Sequence, residues 1–353
     1  MVNLTRRFLQ LVVSAVQSQI FRIFQFVWNL EDRFERYLFQ KSVPFSGMLN
    51  GNGYAIKNMS FVGNVNNVDG GVSLGLFSIA RGLIENLHIE NAFTFVSTST
   101  KEVIYGAIAA RADCLTLKNC SVNATSSVRI TTTGYGYIGG LVGTSSEDTV
   151  VIANCVNHSA LSGNASRAEP TPDDTHIGGI IGFTWDNCSV VSCVNYGMIE
   201  GGEDVWGVGG IVGCNYGLIK SCVNYGSIKM GNHIGGIVGF TFGTIDNCSN
   251  QGTVGDGMHV GGIVGYIDFA SVNNCTNVGA VKDGDCLGGI AGWGNCDVKN
   301  CYAIDLYDSD RGTTVTVQQL ADKSFWTDTL GWDESIWIFD DLDPENGKYP
   351  ALR

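Results

Sequence analysis

Three histidines and one cysteine recur at a single place in the chain. His176, His233 and His259 each stand three residues before the second glycine of a GGI triplet, and Cys286 takes the same place one repeat later. Imidazole and thiolate are transition-metal ligands, and acidic residues lie close by, so His233, His259, Asp256, Asp283 and Asp285 form a candidate metal edge. A linear column suits tetrahedral coordination poorly, and no zinc-type ligand spacing accompanies it; a solvated turn edge has the same signature. The acidic turns also offer oxygen ligands to Ca²⁺, without the frame of an EF-hand or a nonapeptide repeat. No other cofactor is expected.

A second column lies just behind each GGIVG-like stretch: Phe183, Cys214, Phe240, Tyr266 and Trp293. Aromatic rings along a flat face stack on sugars, and a buried aromatic ladder reads identically in sequence. Tyr196 and Tyr225, on another turn of the repeat, join the ligand-binding candidates. Hydrolysis of a polysaccharide would need carboxylates paired across neighbouring repeats, and Lys and Arg are scarce between Pro170 and Asn300. A non-enzyme is therefore expected, with a polysaccharide-processing β-helix enzyme as the alternative and a structural spacer from a larger surface protein as a third reading.

These columns exist because the chain repeats a phrase: GGIVG, a short turn, I-x-N-C, then N-x-G. It is clearest from Ile234 to Val254 and from Val260 to Val281. The I-x-N-C element occurs as Ile56–Met59, Ile84–Leu87, Leu117–Cys120, Ile152–Cys155, Val190–Cys193, Ile219–Cys222, Ile245–Cys248, Val272–Cys275 and Val298–Cys301, and its last four intervals are 29, 26, 27 and 26 residues. A nearly fixed period with variable loops marks a solenoid. Each unit has three short β-branched runs broken by Gly, Asn or Ser, which suits one coil of a parallel β-helix. The expected fold is an all-β, right-handed parallel β-helix of about nine coils, roughly 40 Å long at ~4.8 Å per coil.

Within a coil, Ile, Val or Leu at the first position of I-x-N-C and Cys, Met or Leu at the fourth form interior columns. Cys120, Cys155, Cys193, Cys222, Cys248, Cys275 and Cys301 are thus expected as buried free thiols. Cys114, Cys188, Cys214, Cys286 and Cys296 are better placed to pair. Side chains three apart on one strand cannot share a face, so the chain must bend between them, at the Asn. Asn157, Asn195, Asn224, Asn250 and Asn277, each but the first followed two residues later by Gly, form a further turn ladder.

These residues, above all GGIVG at 209–213, 235–239 and 261–265 with the N-C-x-N-x-G segments behind them, resemble the GLUG-motif repeats of bacterial surface proteins, found for example beside IgA-protease-type peptidases. The resemblance spans about Phe45 to Cys301. It implies an extracellular or cell-surface bacterial module for adhesion, with a glycan or a host or cell-wall protein as partner. No peptidase motif such as H-E-x-x-H stands beside the repeats.

The ends differ from the body. Residues 1–42 step by three and four in apolar residues, as an amphipathic helical cap or a degenerate signal or anchor would, and interspersed Gln and Arg exclude a bilayer span. The repeats occupy 43–308, and 309–353 reads as a mixed cap in which Thr316–Gln319 fits a capping box. Excursions at Ala124–Tyr137 and Ser162–Thr175 should emerge on one side of the rod. The net charge of -13, with no basic stripe, excludes nucleic acid as a partner. A monomeric rod, or one part of a larger assembly, is expected.

Overall fold

The computed structural model describes residues 44–57, 60–63, 72–99, 102–124, 128–132, 134–165, 175–202, 204–307 and 311–353. The helical reading of residues 1–42, and Asn58 and Met59 of the first I-x-N-C element, lie outside these residues.

One repeat shows how the sequence makes the fold. Val238–Thr241 and Thr244–Asp246 lie in one sheet, Ser249–Asn250 in a second and Val254–Gly261 in a third. Each strand pairs in parallel with its equivalent in the next repeat. The chain is an all-β parallel solenoid: among the described residues a 13-stranded sheet faces a 22-stranded one, the latter joined through the long strand His88–Ser99.

The apolar column at the head of I-x-N-C holds strict register through Leu49, Ile84, Leu117, Ile152, Val190, Ile219, Ile245, Val272 and Val298. Its members from Ile84 to Val272 are fully buried in the main core. The first rung differs from the sequence reading. Leu49, not Ile56, pairs with Ile84, while Ile56 pairs with Ile89. A turn at Gly51–Gly53, with Asn52 and Gly53 at positive φ, displaces Ile56 by a corner of the coil, which the I-x-N pattern conceals.

The predicted bend falls on the asparagines. Asn86, Asn119, Asn154, Ser192, Ser221, Asn247, Asn274 and Asn300 all have φ between 51 and 54°. This left-handed residue turns the side chain of the next position inward, so the Cys column is buried; Cys222 Sγ donates to Lys220 O at 3.3 Å. Cys114, Cys188 and Cys286 also carry free thiols, contrary to the pairing expected of them. Each stands in a different row, where its neighbours along the solenoid are not cysteines: Val150 beside Cys188, His259 beside Cys286.

The second asparagine column is a buried hydrogen-bond ladder. Asn224 Nδ2 donates to Asn250 Oδ1 at 2.8 Å and to Gly226 O at 2.9 Å, while Asn224 Oδ1 accepts from Asn195 Nδ2 and Gly226 N. The glycine two residues on is needed for space rather than for positive φ. A Cβ on Gly226 would stand 2.0 Å from Gly197 O.

Residues after the last repeat do two things. Thr313–Thr314 extends the second sheet beyond Tyr302–Ala303, and the Arg311 guanidinium donates to the carbonyls of Gly292 and Gly294 at the open sheet edge. The capping box at Thr316 is formed, with Gln319 N donating to Thr316 Oγ1. The aromatic segment that follows lies along a flank rather than over the last coil alone. Phe325, Trp326, Trp332, Trp337 and Phe339 pack on Val223, Tyr225, Val278 and Tyr302, and Trp332 Nε1 donates to Asn274 O. Much of both expected excursions is regular rung: Val128–Thr132, inside the first, pairs in parallel with Leu161–Ala165, most of which lies in the second.

Candidate ligand-binding face

GGIVG forms a tight arch between the third sheet and the first. A Cβ on Gly235 would stand 1.9 Å from Val238 O, and one on Gly239 would stand 2.4 Å from Val208 N, so the two arms meet backbone to backbone at the apex. A Cβ on Gly236 would collide with Asn250 of the buried ladder. Ile237 and Val238 fill the core. Away from the apex the arms part, and the gap is filled by side chains from both: His233 on one arm and Phe240 on the other have ring centroids 5.5 Å apart.

Along the solenoid this gap becomes a seam. One wall is Tyr137, His176, Gly207, His233, His259 and Cys286 in register, and the other is Phe183, Cys214, Phe240, Tyr266 and Trp293. Phe183, Cys214 and Phe240 are buried in a cluster separate from the main core, so the expected aromatic strip is, over these rungs, an internal ladder. Phe240 and Tyr266 stack at 5.0 Å, each covering the other's face. The column reaches solvent at its end, where Trp293 is 50% exposed between His259 and the Arg311 guanidinium.

Two residues beyond this column stands a second aromatic row that the sequence reading missed. Trp185, Tyr216 and Phe242 follow one another along the first sheet, Tyr216 and Phe242 stacked at 4.5 Å, and Phe269 projects from the same bend one repeat later. Trp185 is 39% exposed and Phe269 87%. Phe269 also adopts φ 50°, a left-handed conformation unfavourable for a bulky residue. Comparing the third residue after each GGIVG-like stretch would have revealed Trp185, Tyr216 and Phe242. Phe269 carries no such signal, because a bulge displaces it.

The other candidates separate. Tyr196 and Tyr225 stack at 4.9 Å with His158 beyond them, on the flank that carries the C-terminal aromatic segment, away from the seam. His233 and His259 meet with their Nδ1 atoms 2.9 Å apart. Burial in the seam pushes the His233 imidazole down to about 3, and the neighbouring His259 and His176 add to this. Asp256 and Asp283 occupy exposed positive-φ turns, and with Asp285 they bring no three ligand atoms together, so the five-residue metal edge is not assembled as expected. Among the described residues the group that does converge is Asp113, Cys114 and Asp148, with ligand atoms within 4.8 Å of one another.

The GLUG motif, as a sequence family, matches residues 230–255 and 256–282. Those two stretches contain the His233–His259 pair, Phe240, Tyr266 and Phe269. Residues 230–282 carry two GLUG repeats. In them the glycines build the arch, the asparagines build the bend and the buried ladder, and the residues following GGIVG build the aromatic face. No curated protein matches the chain significantly. Among solved structures, the chain is similar to a "putative immunoglobulin A1 protease" from Bacteroides ovatus, at 18% identity and a TM-score of 0.42, over 86% of this chain and 76% of that one. No helix among the described residues is long and apolar enough to cross a membrane.

Proposed function

We propose that this chain is a non-catalytic, extracellular or surface-held bacterial repeat module that binds a glycan on the aromatic face of its first sheet. In this reading the body is nine right-handed coils, with the C-terminal segment from residue 311 packed along one flank. The observation that carries it is three exposed rings beside this sheet, Trp185 and Phe269 in the outer row and Trp293 at the end of the inner column. Exposed aromatic side chains cost free energy in water, and Phe269 is held in addition in a strained backbone conformation; a binding role accounts for both. The buried rings Phe183 and Phe240 set the spacing of the face and take no direct part.

GLUG repeats support the surface location. The hydrolytic alternative would draw on the Asp113–Asp148 pair. Burial opposes ionisation of Asp113, but bonds from Arg81, together with Asp148 and Ser146, outweigh it and hold the carboxyl below its usual range. A general acid needs the opposite shift. A glycan array probed with the chain and with a Trp185→Ala/Phe269→Ala/Trp293→Ala variant tests the reading. Specific signals that fall at least tenfold in the variant are expected. Signals unchanged in the variant, or none with the native chain, would remove the glycan and leave a spacer role.

A further inference from the structure

We propose that His233 and His259 chelate a divalent transition-metal ion of tetragonal preference, nickel(II) or copper(II), through their two Nδ1 atoms. The two residues are partners on adjacent parallel strands whose register is fixed from Ile228 and Val254 to Gly235 and Gly261. Their Nδ1 atoms stand 2.9 Å apart. Two nitrogens each about 2.0–2.1 Å from one ion are about 2.9 Å apart when they subtend a right angle, and about 3.4 Å apart in a tetrahedron. The observed separation is therefore that of two cis ligands in square-planar or octahedral geometry, which imidazole-rich nickel and copper sites favour over zinc.

The surroundings hold this geometry. His233 is buried against Trp206, Phe240 and Tyr266, with ring centroids at 4.7, 5.5 and 4.9 Å, so its imidazole has little freedom. His259 is half-buried beside Tyr266 and Trp293. The charge of Asp285 on the next strand favours a cation at His259, and that of Arg311 opposes it. Among the described residues these are the two histidines whose ring nitrogens meet. The site adjoins one end of the glycan face, where Trp293 stacks on His259 at 5.8 Å, but neither imidazole is one of the exposed rings.

Calorimetric titration of nickel(II) chloride into the full chain, stripped of metal with a chelator, is the test. One ion per chain is expected, with affinity at least tenfold weaker for His259→Gln and unchanged for Asp148→Asn. An unaltered circular dichroism spectrum and unfolding midpoint for His259→Gln separate loss of the ligand from loss of the fold. Electron paramagnetic resonance of copper(II) bound to a Cys114→Ser chain should show two coupled nitrogens. Absence of nickel binding, binding that His259→Gln leaves intact, or binding lost in Asp148→Asn would overturn the assignment.

Discussion

At the scale of single residues, the repeat works by giving each polar or strained position one physical task. Asn247 and its equivalents turn the backbone, Asn224 and its equivalents satisfy one another in the interior, and the thiols between them fill space. The thiols make stability depend on pH. Burial pushes Cys188 from an ordinary 9.0 up to about 12. A raised thiol keeps its proton in the folded chain while the unfolded chain ionises. The resulting stabilisation is complete below about pH 9 and is lost as pH rises from there through the folded value. The urea midpoint should thus fall between about pH 9 and 12, less steeply in Cys188→Ala; a midpoint flat across that range would show the thiols to be accessible to solvent. The buried thiol column was legible from its alternation with Met and Leu. That Tyr196 and Tyr225 stack on the flank of the C-terminal segment was not legible, because a residue's row in the repeat does not say which flank the row faces.

At the scale of elements, the arch and the bend place opposite demands on glycine. Gly236→Ala would put a methyl 2.2 Å from Gly262 O and 2.3 Å from Asn250 Cγ, with backbone on one side and a saturated ladder on the other. Its cost should be on the order of 3 kcal/mol or more by urea unfolding, whereas Asn247→Gly, at φ 54°, should change stability by less than about 1 kcal/mol. Equal costs at the two positions would contradict the steric account of GGIVG. The strands and their period were readable because loops vary while the coil does not. The first rung was not, since the turn at Gly51–Gly53 moves Ile56 into a different sheet without disturbing its local pattern. The buried half of the aromatic column was equally hidden: whether a ring lies inside the seam depends on what the opposite arm and the neighbouring repeat bring, and here Phe240 meets His233 at 5.5 Å while Trp206 meets His233 at 4.7 Å.

At the scale of the whole molecule, stacking does what a globular core does elsewhere. Each repeat buries its apolar row only against its neighbours, and the C-terminal aromatic segment covers a flank across several of them. One long face, the first sheet, leaves Trp185, Phe269 and Trp293 exposed beside it, and a flat surface with projecting rings is suited to an extended ligand. The claim that this face binds rests most on Phe269, where exposure and strain coincide. Titration of the array's strongest glycan into the native chain, Phe269→Asn and Tyr196→Ala tests it directly. Asparagine tolerates the left-handed conformation, so Phe269→Asn should raise the unfolding midpoint while weakening the Kd at least tenfold, and Tyr196→Ala, on the other flank, should leave the Kd unchanged. A Kd unaltered by Phe269→Asn, or abolished by Tyr196→Ala, would contradict the account.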